Sequence, residues 1–268
     1  MKQSTCSVLG HRVVRFEFPP LGEQKGTLFH AHGQGDYAER YGEILEPFRE
    51  SGLRVVCYDA PGHGQSSGRR GAIPYFEFYK ETYKLEQRSS AGPFGLSGHS
   101  MGGLVALSLL GDMKRPHFAW LSSPLIDPIL NQPRVKVWLA SRLASLLPEV
   151  TVSTGVTPDA CSAGPRPEQT WFHSRISLGW ANQLLTLSHQ IHSDSFHLPS
   201  DIPILFTQGT EDTICPLSAL QPFLEEKHTE RTQLSLVEGA LHEPFSGETR
   251  NLLYESLGVW IEKEINSL

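Results

Sequence analysis

Three side chains far apart in the sequence could together do covalent chemistry on an acyl group: Ser100, Asp212 and His242. Ser100 lies in Gly98-His99-Ser100-Met101-Gly102-Gly103, a G-x-S-x-G pattern with a third glycine. A short apolar run (Phe94, Leu96) precedes it, and Leu104 to Leu110, a strong helix former, follows. A sharp strand-to-helix turn there would lift the hydroxyl clear of a sheet, and such a turn needs small neighbours. The helix behind it aims its first N–H groups and its positive dipole end at the same spot, where a developing oxyanion would be stabilised. A serine hydroxyl is a poor nucleophile until a base takes its proton. His242, in Glu238-Gly239-Ala240-Leu241-His242-Glu243-Pro244, can do so near neutral pH and return the proton to a leaving group. Asp212, in Gln208-Gly209-Thr210-Glu211-Asp212, would fix the imidazole tautomer. Glu211 is an adjacent rival, but the spacing from Gly209 favours Asp212. His228 precedes the last strand and reads as a surface residue.

A second oxyanion donor is offered by His32-Gly33-Gln34-Gly35. The backbone N–H of Gln34 would act beside the first N–H groups of the helix after Ser100, and flanking glycines let the main chain approach a carbonyl closely. His32 reads as a buried orienter of this loop. Asp59 and His63 read as parts of a turn, with the Asp59 side chain fixing backbone N–H groups. Asp36 reads as a helix N-cap.

These residues need elements to carry them. His11 to Phe18 alternates, placing Val14, Phe16 and Phe18 on one face of a strand. Strands are also expected at Thr27–Ala31, Leu53–Tyr58, Phe94–Ser97, Phe118–Ser123, Ile204–Thr207 and Thr232–Val237, the last with Leu234 and Leu236 inward. Helices are expected at Ala38–Arg49, Tyr75–Gln87, after Ser100, and from about Gly247 to Ile265. Alternating strands and helices predict a mostly parallel central sheet with helices on both faces. Sites in such sheets gather at the carboxyl ends of the strands, where all the loops named above fall.

The alternation stops after Pro124. Residues 125–199 read as an inserted helical cap between a core formed by 1–124 and 200–268. Within it, Val135 to Leu147 and Gly179 to His192 carry helical apolar stripes, and Thr151 to Arg166 reads as a polar loop. Trp138 and Leu139 of the cap, with Cys215 and Leu241 beside the acid and the base, are the candidate pocket residues. A pocket-lining Cys215 would make the protein sensitive to thiol reagents.

The 268-residue chain is 39 % hydrophobic and 19 % charged, which suits one large core. Its 23 Lys plus Arg against 29 Asp plus Glu give a net charge of -6 and no basic stripe, which argues against nucleic acid. The four cysteines show no metal-ligand spacing and are expected free. No metal or cofactor is expected. No signal-like apolar core and no membrane-length run is present, so a cytoplasmic protein is expected. Any membrane or micelle contact would be transient and made by the cap, whose polar face is not rich in Lys and Arg.

With these residues in hand, the chain resembles the monoacylglycerol lipase and lysophospholipase branch of the α/β-hydrolases. The resemblance rests on His32-Gly33-Gln34-Gly35-Asp36 with Arg40-Tyr41, on Tyr58-Asp59 through Gly62-His63-Gly64-Gln65-Ser66, and on the segments around Ser100, Asp212 and His242. It implies the α/β-hydrolase fold, a triad of Ser100, Asp212 and His242, and oxyanion donors at Gln34 and Met101. It further implies a small lipid ester as substrate, admitted under the cap to an apolar channel and cleaved through an acyl-enzyme. A short-chain carboxylesterase or a thioesterase is the nearest alternative, and a ligand-binding homologue without catalysis the remote one.

Overall fold

The computed structural model of the chain describes residues 1–128, 134–162 and 171–266. In chain order, strands β1 (Lys2–Val8), β2 (His11–Phe18) and β3 (Gly26–Ala31) are followed by helices α1 (Tyr41–Ile44) and α2 (Glu46–Glu50). Then come β4 (Leu53–Tyr58), α3 (Glu77–Ser89), β5 (Phe94–His99), α4 (Met101–Asp112) and β6 (Phe118–Ser122). The chain then leaves the sheet for α5 (Arg134–Ala144), β7 (Thr151–Ser153), α6 (Pro158–Cys161), β8 (Arg175–Ser177) and α7 (Leu178–Ile191). It returns through β9 (Ile204–Gly209), α8 (Leu217–Lys227), β10 (Thr232–Val237) and α9 (Arg250–Glu264).

Eight strands form one sheet in the order β1-β2-β4-β3-β5-β6-β9-β10. The pairs β1–β2 and β2–β4 are antiparallel and the remaining pairs parallel. Because side chains alternate across a strand, β4 feeds two cores at once. Val56 and Tyr58 join a cluster with α3, α4 and α7, whereas Val55 and Cys57 join another with α2 and α9. Both faces are therefore covered, and β3, β5, β6 and β9 are buried along their whole length.

Parallel strands all end on one side. His32 follows β3, Ser100 follows β5, Asp212 follows β9 and His242 follows β10, so the four loops share the carboxyl edge. The excursion between the neighbours β6 and β9 lies over that edge. Its antiparallel β7–β8 pair meets the core where Ser177 N–H donates to the Gly71 carbonyl at 2.9 Å. Its α7 buries Trp180, Leu184, Leu187 and Ile191 in the core cluster that holds α4.

Several elements differ from the sequence reading. The expected helix over Ala38–Arg49 is a 3-10 turn (Ala38–Arg40) followed by α1 and α2, with the break at Leu45. Pro47 explains the break, since it has no N–H to donate to Glu43 and its ring crowds that carbonyl. The first turn is capped by Asp59, whose Oδ1 accepts from Ala38 N–H at 2.7 Å, and not by Asp36. Strand β1 was not foreseen: it is an edge strand, mostly exposed, without apolar alternation. Leu234 and Leu236 face outward, 40 % and 49 % exposed. On that edge strand α9 covers the opposite face, where Gln233 meets Glu264 and Val237 is buried. The stretch read as a loop over Thr151–Arg166 contains β7 and α6; its residues 163–166 lie outside the described ones.

Two glycines test this packing in opposite directions. A Cβ on Gly102 would run into the Ala31 carbonyl oxygen, so Gly102→Ala should lower stability by about 1–3 kcal/mol or more. Gly258, inside α9, has open space, and Gly258→Ala should raise stability by about 0.5–1 kcal/mol. Thermal melts of the two variants check this; a wild-type melt for Gly102→Ala would contradict the packing described.

Candidate active site

Ser100 adopts φ 56° and ψ -121°, a conformation that a residue with a side chain rarely takes. The surroundings hold it there. Its N–H donates to Ser122 on β6 at 3.0 Å, and its carbonyl accepts from Gly103 at 2.9 Å and Leu125 at 3.0 Å. Gly98 is required beneath it, because a side chain would collide with the Gly102 carbonyl.

The hydroxyl this turn presents meets His242. Ser100 Oγ lies 2.9 Å from His242 Nε2, and His242 Nδ1 lies 2.8 Å from Asp212 Oδ2. The carboxylate can only accept, so Nδ1 carries the proton and Nε2 is left to accept from the serine. Asp212 is fully engaged: Oδ1 accepts from the N–H groups of Ile214 (2.8 Å) and Cys215 (2.9 Å), and Oδ2 also accepts from Gln208 Nε2 (3.0 Å). Burial alone would raise this carboxyl. The charge of His242 and the hydrogen bonds from His242, Cys215 and Ile214 outweigh it and hold the group below its ordinary value.

Two supporting groups were invisible to motif reasoning. Gln208 opens the segment that carries Asp212 and has no role of its own in the sequence reading, yet it clamps Asp212 and the Cys215 carbonyl. Glu243 and Asp36 both bind Arg40, at 2.9 Å and 3.2 Å, and Tyr41 O–H donates to Asp36 at 2.7 Å. One buried guanidinium thus ties the Gly33–Asp36 loop to the His242 loop. The signal was present in the sequence as Asp36 with Arg40-Tyr41, but the partner 203 positions away was not.

Met101 opens α4, so its N–H is among those a helix leaves without an intrahelical acceptor. Gln34, Met101, Ser100 and His242 all border one cavity of about 260 Å³, walled largely by apolar side chains such as Leu125, Phe172, Ile176 and Leu184. His32 orients the Gln34 loop as read: Nε2 accepts from Ala60 N–H at 3.0 Å, which leaves Nδ1 to donate to the Gly33 carbonyl at 2.8 Å. Asp59 fixes Ala38 and Gln65 N–H, and His228 is exposed.

The pocket residues fall differently. Trp138 is 60 % exposed on the outer side of α5, under the Arg142 guanidinium, while Val137 and Ala140 of the same helix line the cavity. Trp138 lies about 100° around the helix from Val137, off the face that Val137, Ala140 and Ser141 turn to the cavity. The Leu139 side chain lies outside the described residues. Leu241 is half-buried and Cys215 buried, and Ile214 borders the cavity where these two were expected. Among the described residues no group of three His, Cys, Asp or Glu could hold a metal ion, and no helix is long and apolar enough to cross a membrane.

A protein-family model described as serine aminopeptidase, S33, matches residues 22–250. The chain belongs to that family. Its relatives in this α/β-hydrolase group include the monoglyceride lipase of Rattus norvegicus, 28 % identical over 92 % of this chain and 85 % of the relative. An uncharacterized abhydrolase domain-containing protein of Dictyostelium discoideum is 29 % identical over 90 % of this chain, which spans only 27 % of that relative's length. Among solved structures, the monoacylglycerol lipase of Paleococcus ferrophilus superposes with a TM-score of 0.80 at 25 % identity, covering 93 % of this chain and 98 % of the other. The protein is thus a monoglyceride lipase-like α/β-hydrolase, and the expected fold class and family both hold.

The buried histidines of this α/β-hydrolase carry an acid liability. Burial pushes His30 and His63 down, His99 to about 3 and His173 to about 4; the nearby His242 charge adds to the effect on His99. Unfolded, each would take a proton at its ordinary value of 6.5. The stability from keeping them neutral is therefore complete above pH 6.5 and lost as pH falls toward 4 and 3. Asp212, depressed, adds a loss below its ordinary 3.8. Denaturant melts should show stability declining steadily from pH 7 to pH 4; a flat profile would contradict the burial described. Cys215 is raised well above 9.0, first by burial and then by the Asp212 charge, so it stays a thiol. N-ethylmaleimide should leave Cys215 unmodified in the folded protein and label it only after unfolding, as read by peptide mass spectrometry.

Proposed function

We propose that the protein is a serine ester hydrolase that cleaves monoacylglycerols through an acyl-enzyme. The observation carrying this is the continuous Ser100–His242–Asp212 hydrogen-bond chain opening into an apolar cavity. The residue roles follow from that geometry. Ser100 Oγ attacks the ester carbonyl carbon while His242 Nε2 takes its proton. The carbonyl electron pair moves onto oxygen, which the N–H groups of Gln34 and Met101 stabilise. As the pair returns, the glycerol oxygen leaves with the proton from His242. Water then repeats the sequence on the acyl-enzyme, His242 taking its proton and returning it to Ser100 Oγ, and the fatty acid departs.

Residues 125–199 act in this reading as a cap over a core of 1–124 and 200–268, shaping an acyl channel. The charge around that channel favours a neutral head group. Among the described residues lining it, the charged ones are Asp36 and Glu243, and Arg40 binds both. A glycerol suits such a wall better than the phosphate of a lysophospholipid. The same pairing argues against an aminopeptidase, which needs a carboxylate available for the substrate's ammonium group. The cap exposes Trp138, Leu146, Leu147 and Val152, and Val152 also lines the cavity. This is a surface suited to brief contact with a membrane or micelle that supplies the lipid.

Ser100→Ala should keep the wild-type melt while kcat drops on the order of 10⁶-fold and fluorophosphonate labelling disappears. A panel of monoacylglycerols, lysophosphatidylcholine and p-nitrophenyl esters of rising chain length reads the substrate class. Preference for long-chain monoacylglycerols supports the proposal. Preference for lysophosphatidylcholine, or for the shortest esters, would replace it with a lysophospholipase or a general carboxylesterase.

A further inference from the structure

Gln34 lines the cavity beside Ser100, but its side chain engages the cap. Its Nε2 donates to the Arg175 carbonyl on β8 at 2.7 Å, and its Oε1 accepts the Trp180 indole N–H at 3.1 Å. The same indole N–H lies 3.1 Å from Met101 Sδ. One donor on the cap is therefore shared between the side chains of both residues whose main-chain N–H groups would hold the oxyanion. The indole is itself fixed. Trp180 is 1 % exposed, its ring packs 6.0 Å from that of Tyr79, and its main-chain N–H is capped by Ser177 at 3.2 Å.

The contact continues along the loop. His173 N–H donates to the Gly35 carbonyl at 2.9 Å. Gly35 has φ +78°, and a Cβ there would collide with the His173 carbonyl, so the cap backbone lies directly on this turn. The Gln34 loop is thus hydrogen-bonded to three cap positions: it accepts from the His173 N–H and the Trp180 indole N–H and donates to the Arg175 carbonyl.

We propose that Trp180 is a positioning residue that makes a seated cap a condition for a formed oxyanion hole. This rests on the reading of Gln34 and Met101 given under Proposed function. With the cap seated, the indole sets the side chains of both donor residues at once. With the cap lifted to admit a lipid, Gln34 loses both side-chain partners and its N–H is no longer held on target. Transition-state stabilisation then drops until the cap returns, which ties the chemical step to the closed, water-excluding state. A phenylalanine could supply the ring packing; what it lacks is the N–H.

The test uses Trp180→Phe, Gln34→Met and the double variant of the full chain. Each is assayed with p-nitrophenyl butyrate, with a trifluoromethyl ketone that forms a tetrahedral adduct on Ser100, and with an uncleavable alkyl glycerol ether. Each single variant should lose about 10-fold to 100-fold in kcat, the size expected when a donor shifts by about 1 Å or less. KM and ether affinity should stay within about twofold, and ketone affinity should fall in step with kcat/KM. The double variant should lose less than the product of the two single losses, because both changes remove the Gln34–Trp180 bond. Wild-type kcat in Trp180→Phe, equal weakening of ketone and ether, or losses that multiply would each overturn the proposal. If Trp180→Phe folds poorly, Gln34→Met, at a half-buried loop position, carries the same test. Labelling of Ser100 and ester turnover by the wild type separate the two ideas: a fully active Trp180→Phe sinks the coupling alone, whereas a wild type inert to ester and ketone sinks the function beneath it.

Discussion

The hydrogen bond between His242 Nδ1 and Asp212 Oδ2 is the interaction on which the rest of this site depends. It is buried, 2.8 Å long, and made to a carboxylate that three further donors hold in place. Because that oxygen can only accept, the bond decides where the imidazole proton sits. The free nitrogen is then Nε2, and Ser100 lies within reach of it. Without the bond the ring could present N–H to the serine, and the hydroxyl would face a donor instead of a base.

The fold supplies what this interaction needs. Parallel strands deliver residues from distant parts of the chain to one edge, and the buried Arg40 joins two of the loops there. The strain at Ser100 is tolerated because β6 and the start of α4 bond its main chain on both sides. His99, directly before it, packs its ring 4.8 Å from His242 and is held neutral by burial. It therefore sets no permanent second charge beside an imidazolium.

Sequence reading reached furthest where a requirement was local. Glycines flanking a serine, apolar runs between turns and the alternation of β2 each follow from short-range sterics or periodicity, and the parallel core was legible from them. The Ser, Asp, His order let three separated motifs be read together. What stayed hidden was set by tertiary partners. Gln208 looks like any strand residue until Asp212 folds back beside it. Glu243 seemed a neighbour of the histidine and proves a ligand of Arg40. Trp138 and Leu236 sit in apolar patterns but face outward, because periodicity fixes which residues share a face and not which face is covered. The broken helix at Leu45 was foreseeable from Pro47.

The position of one proton decides whether His242 can act as the base. Nitrogen-15 NMR of the histidine-labelled protein in mildly alkaline solution, where an imidazole is neutral, with His242 assigned by its loss in His242→Gln, reads the tautomer of that ring. The structure requires a far-downfield proton coupled to Nδ1 and an unprotonated Nε2. A ring protonated at Nε2, or one averaging between both tautomers, would contradict it.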